Sequence, residues 1–325
     1  MGLSRADDDH YFSVAKKLAG GRLIPFLGAG ANLCDRGSHG WTPGCAFLPS
    51  GTELADHLVT AGRYPNPTEH NLIRVSQYVD LAEGEDELYR YLHDIFDGDF
   101  SPTSLHKLLA RVARKLADAG QPQLLCITTN YDDLLERALA AENLEYDVIW
   151  YEAKENSPAH RKFWHRAPGQ EPVPIRRPNK YKGLPDVLER PAVLKLHGAT
   201  ARQSSPNDDS YVITEDSYID YLTGSDLATL IPISLWKLMT NNSLLFLGYS
   251  LADWNLRVIL NRIWSTRTLL AKSWAVQLEP DDPAASQIEQ KLWEDPGRKV
   301  DLVFCDLTQY VQRLGAAVEA ASGTP

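Results

Sequence analysis

The stretch Leu23-Ile24-Pro25-Phe26-Leu27-Gly28-Ala29-Gly30 is a short apolar run that ends at two glycines. An apolar run of this length before a turn is typical of a strand that a sheet buries on both faces. Similar runs at residues 124–128 and 192–196 lead into Asn130 and His197. In an open α/β sheet the ligand crevice lies at the carboxyl ends of the strands. The three strand ends therefore predict one common site.

The rest of the chain alternates between strand and helix patterns. We expect further strands at residues 148–150, 243–247, 273–277 and 300–304, and helices at residues 11–18, 132–141, 220–239 (with a break at Gly224) and 252–264. This alternation is typical of a doubly wound α/β fold with a mostly parallel, Rossmann-like sheet. Pro25 is awkward in a central strand because it lacks an amide hydrogen, so we expect it near the start of its strand.

A long helical segment separates the first two strands. Residues 52–119 have a helical pattern throughout, whereas a crossover between parallel strands needs only about a dozen residues. We therefore expect a helical insert, forming a lid or a partner surface, within a single domain that covers residues 1–325. Residues 155–190 are rich in proline and basic residues and are expected to form a surface loop, which is a second candidate contact surface.

The composition excludes several classes of protein. The 325 residues are 43% hydrophobic and 23% charged, which is typical of a globular chain with a substantial core. The formal net charge of -10 argues against direct nucleic-acid binding. No apolar stretch approaches the roughly 18 residues that a membrane span needs. The acidic amino terminus lacks a signal-peptide core, so we expect a cytoplasmic protein without a membrane contact.

The four cysteines do not form a metal motif. Cys34, Cys45, Cys126 and Cys305 are never two to four residues apart, the spacing that zinc ribbons need. Cys126 and Cys305 lie in apolar runs and are expected to be small core residues. We therefore expect no zinc ribbon and no bound metal.

Gly28-Ala29-Gly30 suits close approach of the backbone to a phosphate group. Glycine lets the main chain approach a pyrophosphate, and a following helix amino terminus favours negative charge. The dehydrogenase fingerprint is absent, because Leu33 stands where that motif has glycine or alanine. The same three residues also suit an ordinary tight turn, and the segment alone leaves both interpretations open.

Polar residues follow each of the later strands. An amide such as Asn130 can hold a ribose hydroxyl or a water, and Asp132 could accept from a carboxamide, although both residues also suit a helix N-cap. A neutral His197 could accept a proton near neutral pH, or it could be a core histidine. Gly248, Ser250 and Asp253 form a further glycine turn that suits ribose or phosphate, or a capped helix start.

The order of these motifs resembles the sirtuin family, the silent-information-regulator proteins. The matching segments are Gly-Ala-Gly at 28–30, Thr-Thr-Asn-Tyr-Asp at 128–132, Leu-His-Gly at 196–198 and Gly-Tyr-Ser at 248–250. The chain is most similar to the bacterial sirtuin-like branch of anti-phage defence, and residues 212–221 also look like that branch. The resemblance runs from about residue 23 to residue 314.

The resemblance implies that the chain binds NAD as its substrate. It makes Asn130 and His197 the catalytic residues, with Asn130 positioning water and ribose and His197 acting as base or ribose orienter. The implied dinucleotide-binding residues are Gly28, Ala29, Gly30, Asn32, Thr128, Asp132, Gly248, Ser250 and Asp253. Asp253 and Cys305 are weaker extensions of the resemblance than the other residues. The four-cysteine zinc module and the Asp-Phe-Arg loop of the deacylating members are both missing, which argues against lysine deacylation.

The leading hypothesis from the sequence is an NAD glycohydrolase that produces nicotinamide and ADP-ribose. By resemblance it would be an antiviral, abortive-infection effector controlled by self-assembly into a homo-oligomer or by a partner, such as a HerA-type ring ATPase or a short Argonaute. Two alternatives remain open. One is an NAD-dependent protein deacylase or ADP-ribosyltransferase, and the other is a non-catalytic sensor of NAD or ADP-ribose.

Overall fold

A computed structural model of the chain describes residues 5–224, 227–249, 272–280 and 300–322, together with residues 258, 260, 284, 287, 291 and 293. The described helices are α1 (Arg5–Ala19), α2 (Gly51–Ala61), α3 (Leu72–Glu83), α4 (Glu85–Phe96), α5 (Ser104–Asp118), α6 (Leu134–Ala141), α7 (Glu215–Thr223), α8 (Leu227–Leu230), α9 (Ile233–Asn241) and α10 (Leu307–Ser322). The described strands are β1 (Leu23–Leu27), β2 (Leu125–Thr128), β3 (Asp147–Tyr151), β4 (Phe163–Arg166), β5 (Val173–Pro174), β6 (Ala192–Lys195), β7 (Gly198–Ala199), β8 (Ser210–Tyr211), β9 (Ser243–Leu247), β10 (Ser273–Gln277) and β11 (Val300–Phe304).

Nine strands form one sheet in the order β11-β10-β9-β1-β2-β6-β3-β4-β5. The pairings from β11 to β3 are parallel, and β4 and β5 continue the sheet as antiparallel edge strands. The chain leaves β1 towards β2 and later returns to its other side as β9. The prediction of a doubly wound, mostly parallel α/β sheet is therefore confirmed, and the strand order reverses between β1 and β9.

Both faces of the sheet are buried. Along β1 the side chains alternate, so that Ile24 and Phe26 pack in one core while Leu23 and Leu27 pack in the other. Helices α7, α8 and α9 contribute to the first core, and α1, α5, α6 and α10 contribute to the second. This two-faced burial explains why the strands read as continuous apolar runs rather than as alternating ones.

Pro25 lies in the middle of β1, a central strand, and the expectation that it stands near the strand start is wrong. Its Cα is paired with that of Leu245 on β9, whereas the register with β2 begins at Phe26. The ladder on the β2 side thus starts after the residue that has no amide hydrogen to donate. The strand tolerates proline because its pairing with β2 begins only at Phe26, one residue after Pro25.

The segment between β1 and β2 is helical and divides between two packing environments. Helices α2, α3 and α4 form a separate core with Leu134, Tyr211 and Ile213. Ser50 and Glu53 form a reciprocal capping box that begins α2. Helix α5 instead packs in the sheet-facing core beside α1 and α10. A lid-like insert would therefore comprise α2–α4 rather than the whole of 52–119.

Two sequence expectations about secondary structure need correction. Residues 155–190 are not simply a loop, because they contain β4 and β5, which extend the sheet beyond β3. The helical stretch expected over 220–239 breaks at Gly224 as predicted, because Gly224 is the C-cap of α7, but it also has a second division that was not expected, between α8 and α9, where Pro232 is the N-cap of α9. The expected helix over 252–264 lies outside the described residues, apart from positions 258 and 260. None of the described helices is long and apolar enough to cross a membrane.

Candidate functional site

A cleft of about 730 Å³ opens where the strand order reverses, at the carboxyl ends of β1, β2, β6 and β9. Its size lies in the usual range for ligand pockets, about 300–1,000 Å³. The predicted site residues that line it are Ala29, Gly30, Asn32, Asn130, Asp132, His197 and Gly248. Gly28 and Thr128 lie beneath the lining, and Ser250 and Asp253 lie outside the described residues. The strand ends of the sequence thus meet in one cleft.

The glycines after β1 pack against the turn after β9. Gly28 N–H donates to the carbonyl of Leu247 (3.0 Å), Gly30 N–H donates to that of Gly248 (2.8 Å), and Ala31 N–H donates to that of Gly28 (2.9 Å). A Cβ on Gly30 would lie 2.8 Å from Gly248. The amides of Gly28, Gly30 and Ala31 are already paired within the protein, so these three are not free donors for a pyrophosphate, and the assignment of Gly28, Ala29 and Gly30 to dinucleotide binding stays a prediction. The glycines serve the close crossing of two turns.

Asn130 is fixed at the end of β2 by two hydrogen bonds. Its backbone N–H donates to Thr128 Oγ1 (2.9 Å), and its side-chain Nδ2 donates to the Gly28 carbonyl (3.1 Å). Thr128 Oγ1 in turn donates to the Leu27 carbonyl (3.0 Å). Thr128 therefore orients Asn130 from below the cleft. Asn130 Oδ1 receives no hydrogen bond within the described ranges, so it is available to a ligand or a water.

Asn32 and Asp132 form a buried pair in the cleft wall. Asn32 Nδ2 donates to Asp132 Oδ2 (2.7 Å), and Leu134 N–H donates to Asp132 Oδ1 (3.1 Å). Asp132 thus accepts from the first amide of α6 and also lines the cleft, while the N-cap position itself is held by Asp133. Asn32 is only 7% exposed, and its Oδ1 has no hydrogen-bond partner in the described part of the chain. A buried carbonyl oxygen of this kind needs a donor.

His197 follows β6 and is held between two aromatic rings. Tyr218 and Tyr221 pack edge-on against the imidazole, with centroids 5.3 and 5.4 Å away, and the Tyr218 hydroxyl lies 3.4 Å from Nδ1. The residue is 5% exposed, and its Nε2 has no hydrogen-bond partner among the described residues. Burial lowers the pKa of His197 to about 3. The imidazole is therefore neutral at neutral pH, with one nitrogen left for a ligand.

The next residue, Gly198, is required by the hairpin of β7 and β8. Its φ of +95° belongs to the region that favours glycine, and a Cβ there would lie 2.0 Å from the Ser210 carbonyl oxygen. The backbone of His197 is tied to the same hairpin, because Val212 N–H donates to its carbonyl (2.9 Å). The His-Gly pair thus sets the position of the imidazole at the mouth of β6.

The cleft also contains residues that the sequence did not indicate as site residues. The insert contributes Leu54, Leu72 and Phe96, β9 leads to Tyr249, and the segment after β11 contributes Asp306 and Thr308. Tyr249 donates from its hydroxyl to the Leu27 carbonyl (2.9 Å) and lies 2.9 Å from Thr129 Oγ1. Tyr249 was part of the quoted Gly-Tyr-Ser motif, but nothing local signalled that Leu54 or Asp306 would reach the cleft.

No group of three or more metal-ligating side chains occurs within the part of the chain that the structure describes. The free cysteines are placed separately. Cys34 and Cys305 line the cleft, Cys126 is buried in β2, and Cys45 lies in the loop before α2. Burial raises the pKa of the Cys34 thiol, which disfavours the reactive thiolate. The expectation that Cys305 is a core residue therefore needs amendment, because it also reaches the cleft.

Comparison with known proteins agrees with the geometry. A family model described as a SIR2-like domain matches residues 124–300, more than half of the chain. The NAD(+) hydrolase ThsA of Bacillus cereus strain MSX-D12 is 25% identical to the chain over 249 residues. The match covers 74% of this chain and 42% of that protein, so the chain spans less than half the length of its relative.

Proposed function

The chain belongs to the SIR2-like domain family, and on that premise we propose that it hydrolyses NAD to nicotinamide and ADP-ribose. The observation that carries the proposal is the convergence of Asn130, Asp132 and His197 on one cleft at the switch point of the sheet. The similarity to a named NAD(+) hydrolase supports the same substrate. A dinucleotide crevice at this position follows the general rule for open α/β sheets.

The chemistry of this cleavage makes modest demands on a protein. Nicotinamide leaves the ribose as a neutral molecule from a cationic ring, so a strong general acid is not needed. The site must orient a water and stabilise an oxocarbenium-like ribose. Asn130 suits the first task, because its Nδ2 is anchored to the Gly28 carbonyl and its Oδ1 can accept from a water or a ribose hydroxyl.

The pKa of His197 favours one of its two expected roles. With the pKa lowered to about 3, the neutral imidazole is a poor proton acceptor in the free protein but a good hydrogen-bond partner. We therefore assign it to orienting a ribose hydroxyl through Nε2 rather than to storing a proton. The unpartnered Nε2 supports this assignment.

The pair of Asn32 and Asp132 suits the cationic end of the dinucleotide. Each Asp132 oxygen already accepts one hydrogen bond, whereas Asn32 Oδ1 has no partner among the described residues, so Asn32 Oδ1 is the acceptor most in need of a donor such as a carboxamide N–H. A carboxylate beside that oxygen repels phosphate and attracts a pyridinium ring. This electrostatic argument directs the nicotinamide towards Asp132 and the pyrophosphate away from it.

The test is direct. Purified protein is incubated with NAD, alone and with proteins encoded beside it, and nicotinamide and ADP-ribose are quantified by chromatography. We expect Asn130→Ala to lower turnover by about 100-fold or more, the usual effect of removing one preorganised polar group. Asn179→Ala is the matched control, because Asn179 is exposed and lies outside the cleft. Unchanged NAD under every condition, or full activity of Asn130→Ala, would refute the proposal.

The same assay separates the alternative functions. A deacylase or ADP-ribosyltransferase would consume NAD only when an acyl-lysine or protein acceptor is present. A sensor would retain NAD or ADP-ribose without turnover. Product analysis after long incubation, with and without an acceptor, therefore decides among the three.

We further propose that the protein is a cytoplasmic antiviral effector that acts by abortive infection. Its control would come from homo-oligomerisation or from a partner such as a HerA-type ring ATPase or a short Argonaute. Helices α2–α4 are the first candidate contact surface, because Phe96 of α4 packs edge-on against Tyr131 beside Asn130, with centroids 5.5 Å apart. A contact made on these helices could reach the cleft through that pair.

Residues 155–190 are the second candidate surface. Because β4 and β5 lie in this segment, deleting it would strip the edge of the sheet. A better test reverses the charge of its exposed basic residues, Arg176, Arg177, Lys180 and Lys182. If native mass measurement finds the assembly unchanged after that reversal, the segment is not the contact surface.

A further inference from the structure

Lys195 is an unusual residue to find at the end of a buried strand. It is the last residue of β6, it stands between Leu194 and Leu196, and its side chain is 2% exposed. A buried ammonium group is unfavourable unless it is paired with an opposite charge and its donors are used. Its contacts should therefore reveal what it does.

The ammonium group makes three contacts, all on the segment that follows β2. Nζ lies 2.9 Å from Glu136 Oε1, and it donates to the carbonyl of Tyr131 (3.2 Å) and to that of Asp132. An ammonium group has three donors, so these contacts use its full capacity. Glu136 lies in the first turn of α6 and is itself 4% exposed. Its carboxylate balances the buried charge, while the two carbonyls belong to the turn that carries the cleft residues.

His197 follows two residues later, just beyond the end of the same strand. Lys195 therefore connects the His197 side of the cleft to the Asn130–Asp132 side by direct hydrogen bonds. Other contacts hold the turn as well, because Thr200 N–H also donates to the Tyr131 carbonyl (2.9 Å). For the Asp132 carbonyl, the donor within the described ranges is Lys195. Loss of the ammonium group would thus leave the Asp132 carbonyl without its donor, although the Asp132 side chain would still accept from Asn32 and Leu134.

We propose that Lys195 is a positioning residue, which fixes the Asn130–Asp132 turn relative to His197 so that both sides of the cleft can act on one substrate. This inference rests on the proposed NAD hydrolysis. The role of Glu136 is different, since it permits the burial of Lys195 but does not touch the turn carbonyls. Two variants can therefore separate positioning from stability.

The first variant is Lys195→Met with Glu136→Leu, which replaces the buried ion pair by apolar side chains. Such replacements of an ion pair are commonly neutral or stabilising, but this one also leaves the Asp132 carbonyl without its donor. That loss costs about 1–3 kcal/mol, so we expect a melting temperature within about 10 °C of the wild type. We expect kcat for NAD to fall about 10-fold or more, because the turn is no longer held, with a smaller change in KM. Hydrogen exchange at residues 131–134 should be about 10-fold faster, while exchange in β1 and β9 should not change.

The second variant is Glu136→Gln, which removes the negative partner but leaves Lys195 on both carbonyls. We expect a lower melting temperature and a kcat within about 3-fold of the wild type. A purely structural role for the pair would instead make kcat follow stability in both variants. Should the double variant fail to fold, Glu136→Gln still decides, because a large loss of kcat in its folded form, or faster exchange of the turn, overturns the proposal.

The exchange measurement also separates this inference from the proposed function. If the wild type does not hydrolyse NAD, the proposed function fails. Faster hydrogen exchange of residues 131–134 in the double variant would still support the proposal that Lys195 fixes the Asn130–Asp132 turn. If the double variant folds and both its kcat and its exchange match those of the wild type, Lys195 has no positioning role.

Discussion

The crossing of the two glycine turns makes a sharp prediction about stability. Gly248 follows β9 with a φ of +74°, and a Cβ on it would lie 2.2 Å from the Ala31 amide nitrogen and 2.6 Å from the Gly30 carbonyl carbon. These are backbone atoms, so they cannot move away as a flexible side chain would. We therefore expect Gly248→Ala to destabilise the protein even when no ligand is present.

The expected loss in the free energy of unfolding of Gly248→Ala has two parts. Placing an alanine in the left-handed region costs about 1–2 kcal/mol, and forcing extra volume into a packed contact costs typically about 1–3 kcal/mol more. Gly44→Ala is the matched control, because Gly44 has a φ of +88° and nothing lies within 4 Å of its Cβ position. It should show the first part alone. Gly30→Ala, whose Cβ would lie 2.8 Å from Gly248, should show the second part alone.

Thermal unfolding measured by circular dichroism is a suitable assay. A change of 1 kcal/mol shifts the midpoint by roughly 2–4 °C in chains of about 150–250 residues. We expect Gly248→Ala to unfold about 3–10 °C below Gly44→Ala. If Gly248→Ala yields no folded protein, Gly30→Ala provides the measurement on the other side of the same contact. Equal midpoints for Gly248→Ala and Gly44→Ala, with a wild-type midpoint for Gly30→Ala, would refute the close crossing of the turns.

Two further predictions concern the cleft. The folded pKa of His197, about 3, lies below its unfolded value of about 6.5, so the unfolded chain binds the extra proton and stability falls as the pH drops from about 6.5 towards 3. At pH 5 the free energy of unfolding is lower by about 2 kcal/mol for this reason. Denaturant titrations at pH 7 and pH 5 should show the decrease in the wild type and not in His197→Gln. The same pH dependence in both proteins would contradict the burial argument. In calorimetry on the slow Asn130→Ala background, where NAD persists, Asn32→Leu should weaken NAD binding about 5- to 10-fold, as expected for one hydrogen bond. It should weaken ADP-ribose binding by less than 3-fold, because ADP-ribose lacks the carboxamide. Equal losses for both ligands would remove Asn32 from the nicotinamide end.

The local signals in the sequence were sufficient for most of the fold. Apolar runs such as residues 23–27 and 243–247 give buried strands because both faces of the sheet are covered, and that requirement is visible in the run itself. Helix starts such as Ser50 with Glu53 are also local, because the two groups that satisfy each other are three residues apart. The placement of Pro25 failed for the opposite reason. Which ladder tolerates proline depends on the register of the neighbouring strands.

Local sequence signals could not predict which residues contact one another within the cleft. Asn32 and Asp132 are 100 residues apart in the chain, and Gly30 meets Gly248 only because β1 and β9 are neighbours in the sheet. The sequence alone could not tell whether the glycine amides were free for a phosphate or already bonded to another turn. The charged Lys195 within an apolar run was a visible signal, but its targets depended on how β6 lies beside β2.

The sequence by itself determined the kinds of elements, the strand-end motifs and the family resemblance, because burial periodicity and turn chemistry act over a few residues. The tertiary structure alone decided which side chains of those motifs face their common cleft, which backbone groups are already paired and how the neutral His197 is held. Those properties arise from strand order and register, which bring distant residues together and exclude water from them. The proposed hydrolysis of NAD depends on that convergence, since no one of the strand ends carries enough polar groups to orient both a ribose and a water.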